Sequence, residues 1–274
     1  MQNNPLQQYF RRPAVYISLP SKGIGYSPDD LDMPENKELP VYPMTAIDEI
    51  TARTPDALFN GTAVVELIKS CVPNIKNPWA IKNIDMDAIL IGIKAASDSE
   101  TLEIDTKCPN CGTESTYSVS LLAVLSNFTA GDYDTPLEIG DLKFKFKPLT
   151  YKEMNQASMG QFEVQKFLNS IIEIEDIEER NKATKNALEK ITYLTMEILA
   201  KTIEYIETPN IRVDDEQFIL DFLKNCDNKI YNAIRDHSTK LKEGTEIKPA
   251  HIKCYNCGHE YDQPYTINPT DFFG

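Results

Sequence analysis

No run of about 18 apolar residues occurs in this 274-residue chain, so no membrane span is predicted. The opening Met1-Gln2-Asn3-Asn4-Pro5 lacks the charged and apolar regions of a secretion signal, and the expectation is a cytosolic protein with reduced thiols. Positive charge is short. Against 42 Asp and Glu stand 28 Lys and Arg, a formal net charge of −14 that opposes the phosphate backbone of nucleic acid. No platform of Lys/Arg and aromatic residues for single strands is visible either, so no nucleic-acid partner is expected. Histidine is scarce, with only His237, His251 and His259. No nucleophile with its base, no paired carboxylates and no open metal site can be read from the chain. No catalytic residue, enzyme activity or small-molecule substrate is therefore assigned. Most Asp and Glu residues lie at helical spacing, as a solvated face requires. Pro20-Ser21-Lys22-Gly23 puts a Lys between Ser and Gly, but the G-x-x-x-x-G-K frame and a following helix are missing. It reads as a tight turn that braces or docks, not as a phosphate loop.

What the chain does have is two cysteine knuckles, Cys108-Pro109-Asn110-Cys111-Gly112 and, far downstream, Cys254-Tyr255-Asn256-Cys257-Gly258-His259. A C-x-x-C followed by Gly is a turn that points two thiolates at one ion. Each knuckle offers half of a tetrahedral shell. Together, Cys108, Cys111, Cys254 and Cys257 offer a complete four-thiolate shell, and the economical expectation is one structural Zn2+ with no open position. Loop-closure entropy grows slowly with length, so a clamp between distant segments is thermodynamically acceptable. The alternatives are a reduced pair of hairpin turns and a redox-active C-x-x-C, the second disfavoured because neither motif sits between a strand and a helix of a βαβ unit. His251 and His259 flank the second knuckle and read as outer neighbours or solvent-facing groups. Cys71 and Cys226 fall in helical patterns and read as buried apolar fillers.

Along the chain, residues 14–19 form a β-rich run, and residues 27–40 look like a solvated connector. Helices are expected over 45–53, over 61–72 before Pro73, and after Asn83. Strands at 101–105 and 116–119 make the first knuckle the tip of a β-hairpin; 246–253 and 260–266 do the same for the second. Residues 141–148 alternate as a strand whose Lys row reads as a solvated edge face. Residues 178–207 contain no Gly or Pro and read as one long amphipathic helix, with Ala187, Ile191, Leu194, Ile198 and Ile203 on its stripe. Helices at 214–225 and 229–241 close a small bundle against it through Phe218, Leu220, Phe222 and Leu223. The fold class expected is α+β: N-terminal helices with two zinc-tipped β-hairpins forming a zinc-ribbon-like neck, plus an inserted helical bundle. The expected divisions are 1–149, the helical insertion 150–245, and 246–274, which packs with the first region.

Leu19-Pro20-Ser21-Lys22-Gly23 with Tyr26, Pro43-Met44-Thr45 followed by Asp48-Glu49, the Asp85 helix and the Cys108-Pro109-Asn110-Cys111-Gly112 hairpin occur in the order seen in T4-type bacteriophage baseplate proteins. The chain resembles that family over roughly its first 125 residues, with a weaker echo in Asp271-Phe272-Phe273. The resemblance implies a baseplate hub subunit or hub assembly catalyst of a contractile tail. It also implies partners among other phage hub or tail proteins, and residence in the host cytoplasm during assembly and in the virion tail baseplate. A structural or assembly protein fits the catalytically bare, acidic chain; the alternative is a zinc-ribbon adaptor for nucleic acid or a nucleic-acid-processing complex. Phe272 and Phe273 are candidate anchors for a partner, since buried aromatics dominate interface energetics; the alternative is that they fold back onto their own domain.

Overall fold

Alternation and helical spacing place most elements where expected, and the departures concern strands. The structure, a computed structural model, describes residues 5–52, 60–97, 100–171 and 174–265. Phe272 and Phe273 lie outside the described residues. The chain divides into two compact units, Met1–Ala130 with Gly244–Gly274, and Gly131–Glu243. Among the described residues no helix is long and apolar enough to cross a membrane.

In the first unit, Val15–Ile17 (β1) pairs antiparallel with Leu39–Val41 (β2), Tyr16 opposite Pro40. β2 overlaps the end of the stretch read as connector. Its proline masks it in sequence, because Pro has no N–H for a ladder and survives only at strand edges. Ala46–Ala52 (α1), Thr62–Cys71 (α2) and Asn83–Ser97 (α3) follow. α3 is the central helix of this unit: Ile84, Met86, Ala88, Ile89, Leu90, Ile91 and Ile93 are all buried. A helix apolar around its circumference belongs inside.

Two buried carboxylates tie the loops to these helices. Asp85, in the first turn of α3, is fully buried and accepts from the Ser21 backbone N–H at 2.8 Å and the Tyr26 hydroxyl at 2.6 Å. The Tyr26 oxygen in turn accepts from the Lys82 N–H at 2.8 Å. Burial raises the Asp85 pKa above the ordinary carboxylate value, with the Ser21 and Tyr26 hydrogen bonds opposing the rise. The turn at 20–25 is thus fastened from below. Lys22 stands exposed at φ 54. Asp48, in the first turn of α1, accepts from the Thr45 N–H at 2.7 Å and from the Thr45 hydroxyl at 2.8 Å, a capping box. It also meets the Arg11 guanidinium at 3.3 Å and the Ser70 hydroxyl at 3.0 Å. Burial alone would raise the Asp48 pKa, but the Thr45, Ser70 and Arg11 contacts together hold it below the ordinary value.

Thr101–Lys107 (β3) and Glu114–Ser120 (β4) form a hairpin in full register, Thr101 opposite Ser120 and Lys107 opposite Glu114. Ser120 caps the short helix Leu121–Ser126 (α4), accepting from the Ala123 N–H at 3.3 Å.

In the second unit, Leu137–Ile139 (β5), Leu142–Phe146 (β6), Ile203–Glu207 (β7) and Arg212–Val213 (β8) make a four-stranded antiparallel sheet in that order. Tyr151–Ile171 (α5) and Ile177–Lys201 (α6) separate β6 from β7, and Glu216–Asn225 (α7) and Asn228–Lys240 (α8) follow β8. One core gathers Phe144, Phe146, Ile203 and Ile206 from the sheet with Ile219, Leu223 and Ile234 from α7 and α8.

The structure corrects several of the sequence expectations. The insertion is a helix-and-sheet unit rather than a helical bundle, and the strand expected ahead of residue 150 belongs to it because β6 pairs with β7. The helix expected over 178–207 ends at Lys201. Thr202 closes it, bonding its hydroxyl to the Leu199 carbonyl at 2.7 Å, and the chain then extends so that Ile203 and Ile206 reach the core. β6 is interior, not an edge, and its lysines form ion pairs, Lys143 with Glu138 at 3.1 Å and Lys145 with Asp134 at 3.6 Å. Phe218 is 67 % exposed, and Ile219 takes the core position expected for it.

Candidate metal centre

Each knuckle is built by the same local chemistry. In the first, the Gly112 N–H bonds the Cys108 carbonyl at 2.9 Å, and the Cys108 N–H bonds the Thr113 carbonyl at 2.9 Å. In the second, the Gly258 N–H bonds the Cys254 carbonyl at 2.8 Å, and the Cys254 N–H bonds the His259 carbonyl at 2.8 Å. Gly112 and Gly258 both stand at φ 72, a left-handed position that glycine takes without a Cβ clash. The knuckles tip the β3–β4 hairpin and the antiparallel pair Ala250–Lys253 (β9) and Glu260–Gln263 (β10), with Lys253 opposite Glu260. Side chains join the two hairpins. The Thr106 hydroxyl donates to Gln263 Oε1 at 2.6 Å, and the Tyr117 hydroxyl to the Lys253 carbonyl at 3.0 Å.

The four sequence-predicted cysteines meet. Cys108 Sγ lies 3.7 Å from Cys257 Sγ, Cys111 Sγ lies 3.6 Å from Cys254 Sγ, and all four sulfurs fall within 4.8 Å of one another. Four thiolates about 2.3 Å from one ion occupy tetrahedron corners roughly 3.8 Å apart, so the donor set fits a single tetrahedral ion. Cys108 and Cys254 are buried, while Cys111 and Cys257 face outward. The Thr113 hydroxyl, 3.2 Å from Cys111 Sγ, is the main cause that lowers the Cys111 thiol to about 6. Asn110 is the first cause lowering Cys257, and burial pushes Cys108 up to about 11. Ligation requires thiolates, and the outward pair is already biased toward that form.

Neither histidine beside the second knuckle joins the cluster. His251 Nδ1 sits 2.9 Å from Asp262 Oδ1, and the His259 ring stacks on Tyr261 with centroids 6.1 Å apart. Cys71 is buried near Arg11, and Cys226 is half-buried after α7. What sequence reasoning missed is the pair of asparagines inside the knuckles. Asn110 Nδ2 donates to Cys257 Sγ at 3.5 Å, and Asn256 Nδ2 donates to Cys111 Sγ at 3.7 Å and to the Thr113 hydroxyl at 3.0 Å. A signal was present in the repeated string Lys-Cys-x-Asn-Cys-Gly at 107–112 and 253–258.

Among curated proteins and among solved structures nothing matches the chain. One family does, the T4 bacteriophage base plate proteins, over residues 31–274. That stretch takes in Asp48, Asp85 and both knuckles, so the resemblance first visible near the N-terminus extends over the far end of the chain as well. The chain therefore belongs to the T4 bacteriophage base plate protein family.

Proposed function

We propose that this protein is a structural or assembly component of a contractile-tail baseplate hub, and that it acts by binding other hub or tail proteins without catalytic turnover. It works in the host cytoplasm during assembly and resides with the tail baseplate of the virion. The observation that carries this reading is the family match over residues 31–274. We further propose that Cys108, Cys111, Cys254 and Cys257 hold one structural Zn2+. Their sulfur separations support this, as does an all-thiolate donor set, which favours zinc over hard cations. Bound there, the ion supplies a cross-link between the two hairpins, and with four protein ligands it leaves no position for substrate. The formal charge of −14 speaks against the nucleic-acid adaptor.

The chain's own residues would do the remaining work. β3–β4 and β9–β10 are short two-stranded ribbons, and such ribbons are marginal in water without further support. Their clamp would hold these two ribbons of the first unit together. The test is a phage lacking the gene, complemented by a tagged copy. The reading expects no infectious particles without the gene and hub or tail proteins co-purifying with the tagged chain. Normal particles from the deletion would refute it.

A further inference from the structure

Four thiolates around a divalent ion carry a formal charge of about −2, a burden in a chain that is already acidic. Nearby cations do little to offset it. Lys107 is engaged with Glu114 at 3.3 Å and Lys253 with Glu260 at 3.0 Å, each pair lying across the hairpin next to its knuckle. Among the neutral side chains beside the sulfurs, two amides cross over from one knuckle to the other. Asn110, from the first knuckle, points its Nδ2 at Cys257 of the second, 3.5 Å away. Asn256, from the second, points its Nδ2 at Cys111 of the first, 3.7 Å away. The acceptors are the outward-facing sulfurs, those not sheltered by burial.

We infer that Asn110 and Asn256 are reciprocal positioning residues of the metal centre: each donates an amide N–H to the exposed thiolate of the opposite knuckle, so the pair both offsets thiolate charge and locks the knuckles in mutual register. The inference rests on the proposed zinc reading and adds the residues that tune it. Its physical basis is directional. Within a C-x-x-C turn the backbone N–H groups serve the sulfurs of their own knuckle, so only side chains can satisfy a sulfur across the gap. An Asn at the third position of both knuckles meets that need twice. Asn256 has a second role, since its donation to the Thr113 hydroxyl at 3.0 Å steadies the group beside Cys111. The Asn110 side chain has only the Cys257 sulfur among its described partners.

The experiment uses the full chain and Co2+ as a spectroscopic probe, with Zn2+ affinity read by competition against a chromophoric chelator. Asn110→Ala and Asn256→Ala are each expected to lower Zn2+ affinity about ten-fold, the range seen when outer partners of metal ligands are removed, and the double variant by roughly a hundred-fold. Asn110→Asp and Asn256→Asp keep the shape but replace a donor by a negative acceptor, and are expected to lose at least as much. The thiolate-to-Co2+ charge-transfer band should shift in every variant. Both asparagines are exposed, so far-UV circular dichroism of the metal-loaded variants should match the parent. Variants that bind Zn2+ as tightly as the parent, with an unshifted band, would overturn the inference and leave the zinc centre standing. A parent chain that takes up neither Co2+ nor Zn2+ would overturn both.

Discussion

Tyr26 donates its hydroxyl proton to Asp85 across 2.6 Å and 59 positions of chain, and the same carboxylate holds the Ser21 N–H at 2.8 Å. Three features that stood apart in the sequence, the Pro20-Ser21-Lys22-Gly23 turn, Tyr26 and the Asp85 helix, are therefore one hydrogen-bonded unit. Asp85→Ala leaves the Ser21 N–H and the Tyr26 hydroxyl without their shared acceptor and should destabilise the protein by about 3 kcal/mol, whereas Tyr26→Phe removes one donor to Asp85 and the acceptor of the Lys82 N–H but keeps the Ser21 bond, and should cost about 2 kcal/mol. Urea denaturation of the two variants checks the order. Equal losses, or none, would show that the turn is held by other means.

Asp87, one turn away from Asn83 on α3, gives a pH prediction. Burial lifts its pKa to about 6, and no hydrogen bond to its side chain is found among the described residues. A carboxyl whose folded pKa lies above its unfolded value stabilises the fold only while protonated. Its contribution is fully present below about pH 4 and is lost as pH rises through about 6. Asp87→Asn should therefore raise stability at pH 7.5 by on the order of 2 kcal/mol relative to the parent, with the gain vanishing near pH 4. Thermal melts of both chains across that range read the difference directly, and a gain independent of pH would contradict the assignment.

Much of this arrangement was legible in the sequence, and what was not has physical causes. The knuckles showed themselves because a C-x-x-C-Gly turn is a short, self-contained signal whose chemistry is local. α2 and α3 were readable for the same reason, since their apolar spacing and the Pro73 stop are written within a few turns. β7 was hidden. Ile203-Glu204-Tyr205-Ile206-Glu207 continues a Gly- and Pro-free stretch compatible with helix, and only pairing with β6 decides for the strand. The Lys row of β6 was legible as one face, but interior or edge position depends on a partner strand that lies beyond α5 and α6. The crossed asparagines required the two knuckles to be superposed, which spacing alone does not provide.

Close backbone approach marks the point where the first unit resumes. The Thr129 N–H bonds the Gly244 carbonyl at 2.8 Å, and a Cβ on Gly244 would come within 2.2 Å of the Thr129 carbonyl oxygen. Backbone cannot swing aside as a side chain can. Gly244→Ala should therefore cost about 2 kcal/mol, the scale of overpacking, and should lower the melting temperature. Gly140→Ala is the control, because no atom lies within 4 Å of its would-be Cβ, although its φ of 59 carries the ordinary left-handed penalty. A Gly244→Ala chain as stable as the parent would show that the crossing is loose.

The most direct test of the account is the metal content of the purified full chain, measured by native mass spectrometry beside Cys108→Ser and Cys257→Ser. If one ion joins the knuckles, the parent carries one Zn2+ per chain. Each substitution then abolishes stoichiometric binding and lowers stability, since the free energy of binding a structural zinc is folding free energy. Two Zn2+ per chain, or a fully folded parent without metal and unaffected by either substitution, would contradict it.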